Sequence, residues 1–296
     1  QKTVHFKRLV KGATTKLKYK EVFTKPRMMP TFSVGEGVPL LSTELKIIAS
    51  DKVHLGYIVF NNDDKVIDVT ETKNGSGQKT YTFKAENVEK MSTESGSPSY
   101  SYIAPHVIFY IKGYETSKGY QSFLESDKDL FGWYSSLVEN INKKDETELQ
   151  GITTELIKDK TTDEEKAIAI FNWVQQKIKY IAFEDGMGGF IPREAADVCS
   201  KRYGDCKDMA NLLNQMMTFA ELNSYLVWIG TRNRPYSYKE VPTPAVDNHM
   251  IAAIRLNDEV IFLDATSQYV PFGYPTPFIQ GKEALVSYGK EFKIKK

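Results

Sequence analysis

Only two cysteines and four histidines occur in the 296 residues, and that scarcity removes several kinds of chemistry at the outset. Cys199 and Cys206 are separated by so short a loop that a disulfide would gain little, and the second falls where a helix should start. Zinc thiols usually stand about two to four residues apart, and His5, His54, His106 and His249 are scattered singly, so no metal site is expected. No charge excess exists either: 39 Lys and Arg face 38 Asp and Glu without a basic block, which leaves no electrostatic footprint for nucleic acid. No apolar run approaches the roughly eighteen residues of a membrane span. The sequence opens at Gln1 with neither methionine nor an apolar leader, and the expectation is that any targeting peptide has been removed or omitted.

What is present reads as globular. The hydrophobic share of 41% and charged share of 26% suit folded domains, and the length allows a core built without metals or disulfides. Up to about residue 112 the chain has the grammar of strands. VHLGYIVF, KVIDVT and KTYTFKA are rich in β-branched and aromatic residues and are separated by the turn clusters NNDD and KNGSG. An all-β sandwich over residues 1–126 is the simplest reading. His54 and His106 sit in or beside apolar runs, where a structural role outweighs a catalytic one, and SGSPSY reads as a surface loop.

From Asp127 the period changes. Leu130, Trp133, Tyr134, Leu137 and Ile141 form one helical stripe, followed by the charged link KKDETE. A second helix opens on Thr162 as N-cap with Glu165 three residues on, then repeats apolar residues at Ala167, Ile170, Phe171, Val174 and Ile178. EDGMGGF and Pro192 read as a flexible break before a short helix at 195–201. Residues 127–296 are therefore expected to form a second, α+β domain.

Within it, YGDCKDMANLLNQMM places Cys206 at the first position of a helix whose buried face holds Met209, Leu212, Leu213, Met216 and Ala220. Asp205 is a good N-cap, and Asp208 complements the positive helix end. Free amides there would favour a thiolate and offer a donor to an oxyanion, while the two flanking carboxylates would repel the anion. A small core residue is the competing reading, so a cationic partner decides the matter. DNHMIAAIRLNDEVIFLDAT supplies a candidate. Read as a hairpin turning at Asn257-Asp258, it opposes His249 to Thr266 and Ile251 to Asp264, which puts His249 and Asp264 diagonally on one face, roughly 7 Å between Cβ atoms. A three-residue loop would send them to opposite faces. In the two-residue register, Asp264 orients the ring, His249 takes the thiol proton and Cys206 attacks an acyl carbon.

These motifs, together with WVQQKIKYIAF, GGFIP and AADVCSKRYGDCKD, resemble the bacterial transglutaminase-like superfamily, related to papain-like cysteine peptidases, over about residues 130–290. The resemblance implies a papain/transglutaminase-like core with Cys206 as nucleophile, His249 as general base and acid, and Asp264 as orienting residue. It implies acyl transfer or amide hydrolysis through a thioester, a peptide or protein substrate, and no metal or organic cofactor. It also suggests Tyr180 as an aid to the Cys206 amide in holding the oxyanion, where animal relatives carry tryptophan; from the residues alone, Tyr180 reads as a core tyrosine at a helix end. The first half is similar to the β-sandwich that often precedes this catalytic domain in Bacteroidetes envelope proteins, which implies a periplasmic or exported location. The chain ends at EFKIKK, where relatives often continue into another β domain, so a longer parent protein is expected. The competing function is a silent binding or scaffold protein, with the loop TRNRPYSYKEVPTP either lining the cleft or closing it.

Overall fold

The computed structural model describes residues 4–22, 24–182 and 185–296. In the first half, β1 (Thr31–Ser33), β2 (Leu40–Ala49), β3 (Val53–Phe60), β4 (Asp68–Lys73) and β5 (Lys79–Val88) precede a one-turn helix, α1 (Tyr100–Ile103). β6 (His106–Thr116) and β7 (Gly119–Ser122) follow. The strands form two antiparallel sheets, one ordered β1-β6-β3 with β7 paired to β6, the other β2-β5-β4. Side chains alternate along each strand, so Tyr81, Phe83 and Ala85 of β5 and Val107 and Phe109 of β6 enter one core shared by both sheets. The intervening residues of β6, Ile108 and Tyr110, face the other way and pack with Leu130, Phe131 and Trp228. One strand thus serves two cores and fixes the sheets against the helical half. The SGSPSY stretch, expected to be all loop, ends in the first residue of α1.

The second half begins with α2 (Asp127–Val138), α3 (Thr147–Ile157), α4 (Asp163–Lys177), β8 (Lys179–Tyr180), α5 (Ala195–Lys201), β9 (Tyr203–Gly204) and α6 (Cys206–Phe219). It ends with β10 (Ser224–Ile229), β11 (His249–Leu256), β12 (Glu259–Leu263), β13 (Ala284–Tyr288) and β14 (Glu291–Lys295). The expected capping box starts α4: the Thr162 hydroxyl accepts from the Glu165 amide at 3.2 Å and the Glu165 carboxylate accepts from the Thr162 amide at 3.1 Å. Phe183 and Glu184, where the expected helical segment gives way to the expected flexible break, lie outside the described residues; Gly186–Gly189 form a 3-10 turn. Helix α3 begins within the charged link, at Thr147, and the sequence does not announce it because Thr153, Thr154 and Gly151 break its short apolar stripe.

Strands β12-β11-β10-β13-β14 make one antiparallel sheet. Helix α6 covers one face, packing Met209, Leu212, Leu213 and Met216 against Ala252 and Ile254 and against Ile170, Phe171 and Val174 of α4. The opposite face buries Val227, Ile229, Ile251 and Ala253 with Ile279 and Val286. Burial on both faces explains why β11 reads as an unbroken apolar run rather than an alternation. The architecture is α+β. Among the described residues no helix is long and apolar enough to cross a membrane.

Candidate functional site

The site begins at the first turn of α6. The Asp205 side chain accepts from the Asp208 amide at 3.3 Å and Asp208 accepts from the Asp205 amide at 3.1 Å, a reciprocal cap that fixes where the helix starts. Gly204 allows the approach, since a Cβ there would lie 2.7 Å from the Asp208 Cβ. Cys206 is consequently the first helical residue, and its amide is one that helix geometry leaves without an intrahelical acceptor. Its thiol is free and partly exposed, whereas Cys199 is buried and its thiol is pushed up by burial.

The flanking carboxylates, expected to repel a thiolate, are each matched by a cation. Lys207, only 4% exposed, is ion-paired with Asp205. Burial still pushes the Asp205 carboxyl up, against the opposing pull of that lysine. Arg193 donates Nε and Nη2 to Asp208 at 2.9 and 2.8 Å, and its backbone amide holds the second oxygen at 2.8 Å. For Asp208 burial is outweighed, and these donors keep the carboxyl below its ordinary range. Nothing in the sequence pattern announces Arg193, because its partner lies fifteen positions away on another element.

The hairpin closes in the expected register. Asn257 and Asp258 have φ of 48° and 65°, the left-handed conformation a two-residue I′ turn requires, and the ladder runs from Leu256–Glu259 to Ala252–Leu263. Just beyond it, His249 Nε2 lies 3.0 Å from Asp264 Oδ2, with His249 8% and Asp264 2% exposed. Asp264 Oδ1 accepts from the Thr266 amide at 3.1 Å and its hydroxyl at 2.6 Å, and Oδ2 accepts from the Thr276 hydroxyl at 2.7 Å. Burial alone would raise the Asp264 carboxyl; His249 and the two threonines hold it below the ordinary value. Burial likewise pulls the His249 imidazole down, but hydrogen bonds to Asp264 and to Cys206 outweigh it and carry the pKa to about 9. Cys206 and His249 are each the first residue of their element, so they meet where helix and strand begin.

Aromatic side chains surround the pair. Cys206 packs in a cluster with Trp133 and Phe190, whose rings are 5.3 Å apart, and Phe278 stands edge-on to His249 at 5.2 Å. Tyr180 pairs with Gly204 across the short β8–β9 ladder, two residues from Cys206, and is 42% exposed; it is not the core tyrosine its helix-end position suggested. In the loop 231–244, Tyr236 and Tyr238 turn inward. The His106 Nδ1–H donates to the Ala104 carbonyl at 2.8 Å, so its Nε2 accepts from the Tyr236 hydroxyl at 2.7 Å. The Tyr238 hydroxyl lies between Trp228 O and Asp247 Oδ2, at 2.8 and 2.9 Å, sharing its one proton between them, and Tyr134 donates to Asp247 Oδ1 at 2.8 Å. The hydroxyls of Ser99, Ser101 and Tyr102 also donate to the carbonyls of Asn233 and Arg232, so the loop is anchored on the first half. Among the described residues, no group of three His, Cys, Asp or Glu side chains converges to hold a metal ion.

Known proteins give this geometry a setting. The chain is similar in structure to a proposed protease of Parabacteroides distasonis, with a TM-score of 0.64 and 14% identity over 90% of this chain and 46% of that one. It therefore spans less than half the length of that protein. A proposed cysteine protease of Cytophaga hutchinsonii gives a TM-score of 0.36 at 14% identity, over 80% of this chain and 74% of that one. Calcium-bound LapG of Legionella pneumophila gives 0.34 at 12% identity, over 54% and 83% respectively. No curated protein matches the sequence. The family model of the transglutaminase-like superfamily matches residues 150–265, the span that contains Cys206, His249 and Asp264.

Proposed function

We propose that the chain carries a cysteine enzyme acting on peptide or isopeptide amides through a thioester, with Cys206 as nucleophile, His249 as general base and acid, and Asp264 orienting the ring. The observation that supports this most directly is one imidazole meeting both a partly exposed thiol and a buried carboxylate at the start of α6. An imidazolium beside the sulfur is the counter-ion a thiolate needs. The thiol proton has already passed to His249 when the sulfur, as thiolate, bonds to the carbonyl carbon, and the oxyanion is met by the Cys206 amide with Tyr180 as a second donor. Collapse breaks the C–N bond, and the imidazolium passes its proton to the departing amine. Water or a second amine then attacks the thioester with His249 again as base, which restores the thiol and releases a hydrolysed or crosslinked product.

The same proposal treats residues 1–126 as an N-terminal β-sandwich domain and 127–296 as the catalytic domain, acting on protein or peptide material of the cell envelope after export. Incubation with cell-envelope peptides followed by mass analysis should find an acyl adduct on Cys206 that Cys206→Ala lacks. Iodoacetamide should alkylate Cys206 near neutral pH faster than a free peptide thiol, and His249→Gln should remove the advantage. A Cys206 that reacts no faster than the peptide thiol, indifferent to His249→Gln, would return the protein to the silent scaffold class.

A further inference from the structure

Thr276 is polar, fully buried and twelve residues beyond Asp264, yet its hydroxyl donates at 2.7 Å to Oδ2, the same oxygen that His249 Nε2 approaches at 3.0 Å. We propose that Thr276 is a positioning residue for the His249–Asp264 pair, and that residues 267–279 form a strap that carries it there. The terminal torsion of an aspartate is broad, so a carboxylate held at one oxygen can still rotate. Thr266 holds Oδ1 from the adjoining turn, and Thr276 holds Oδ2 from outside it, so the oxygen facing the imidazole is fixed only while the strap is seated. Hydrogen bonds to the residue that orients a histidine set the ring's direction in the same way as those around metal-bound imidazoles.

The strap is fastened independently of Asp264. The buried Gln175 of α4 donates Nε2 to the carbonyls of Ser267 and Val270 at 2.6 and 2.8 Å, and the Arg232 amide donates to the Phe278 carbonyl at 2.6 Å. The Ile279 amide closes a turn on the Thr276 carbonyl at 3.1 Å, and two residues past Thr276 the Phe278 ring stands edge-on to His249. One segment therefore both holds the acid of the pair and walls off the imidazole. None of this is local to the catalytic motifs, and it rests on the reading of His249 and Asp264 as a catalytic pair.

The test reads His249 itself. The chain has four histidines, so a protein labelled with carbon-13 at histidine Cε1 gives few signals, and His249 is assigned by its loss in His249→Gln. The titratable groups facing the ring are Asp264 and Cys206. Wild type should titrate near pH 9, Thr276→Ser should stay within a few tenths of it, and Thr276→Val should fall by about one pH unit, a tenfold loss of proton affinity. If Thr276→Val does not fold, Thr276→Ala carries the same expectation; the His106 signal reports folding near the first half. A midpoint for the folded variant equal to or above wild type overturns the positioning role and leaves the catalytic reading standing. A wild-type His249 in the ordinary imidazole range overturns both.

Discussion

The proton on His249 should be visible as folding stability. Its pKa rises from 6.5 to about 9 in the folded chain, where the ring is buried and bonded to Asp264 and Cys206. A group that binds its proton more tightly when folded adds stability that is complete below pH 6.5 and disappears as pH rises through about 9. At about 1.4 kcal/mol per pH unit the contribution is worth about 3 kcal/mol. The comparison is wild type against His249→Gln, which keeps a donor for Asp264 but cannot titrate. Urea unfolding of both from about pH 6 to about pH 10 should show the wild-type advantage shrinking by about that amount, while lysines and tyrosines titrate in both proteins and cancel. The thiol shares this proton, so the window belongs to the pair, and Cys206→Ala should lower the midpoint by removing one of the two raising partners. A difference between wild type and His249→Gln that stays flat across the window would refute the charged imidazole.

Asp247 gives a second pH signature at lower pH. Burial pushes its carboxyl from 3.8 to about 7 against the donors Tyr134 and Tyr238, so stability is complete below 3.8 and is lost as pH rises through about 7. Asp247→Asn should flatten that decline, worth up to about 4 kcal/mol, and should leave the variant more stable than wild type in urea above about pH 8. Lys207→Met should cost about 3 to 5 kcal/mol, because Asp205 is left buried without its cation. Adding Asp205→Asn should recover most of the loss in the unfolding midpoint, since asparagine still caps the helix.

The candidate site was readable where local rules decide it. Asp205 and Asp208 bracket Cys206 at the spacing of a capping box, and Met209, Leu212, Leu213 and Met216 follow the helical period, so the helix start could be placed to the residue. Asn257-Asp258 suits a two-residue turn, which fixes the hairpin register and, through it, the meeting of His249 with Asp264. Long-range partners left no such trace. Arg193 with Asp208, Tyr236 with His106, Gln175 with the 267–279 segment and Thr276 with Asp264 each join elements that have no sequence rule linking them. The reading of Tyr180 as a core residue fails for a related reason: the end of α4 marks a boundary but does not say that β8 continues along the surface beside Gly204.

Backbone chemistry written into short stretches of this chain determined the cap, the hairpin and the apolar faces, because those depend on residues within a few positions of one another. Only the tertiary structure decided the charge state of the site. It pairs Lys207 and Arg193 with the two aspartates that a reader of the sequence would count against a thiolate, and it buries His249 between a carboxylate and a sulfur. Charge interactions depend on separation and desolvation in space, and neither quantity is encoded by spacing along the polymer.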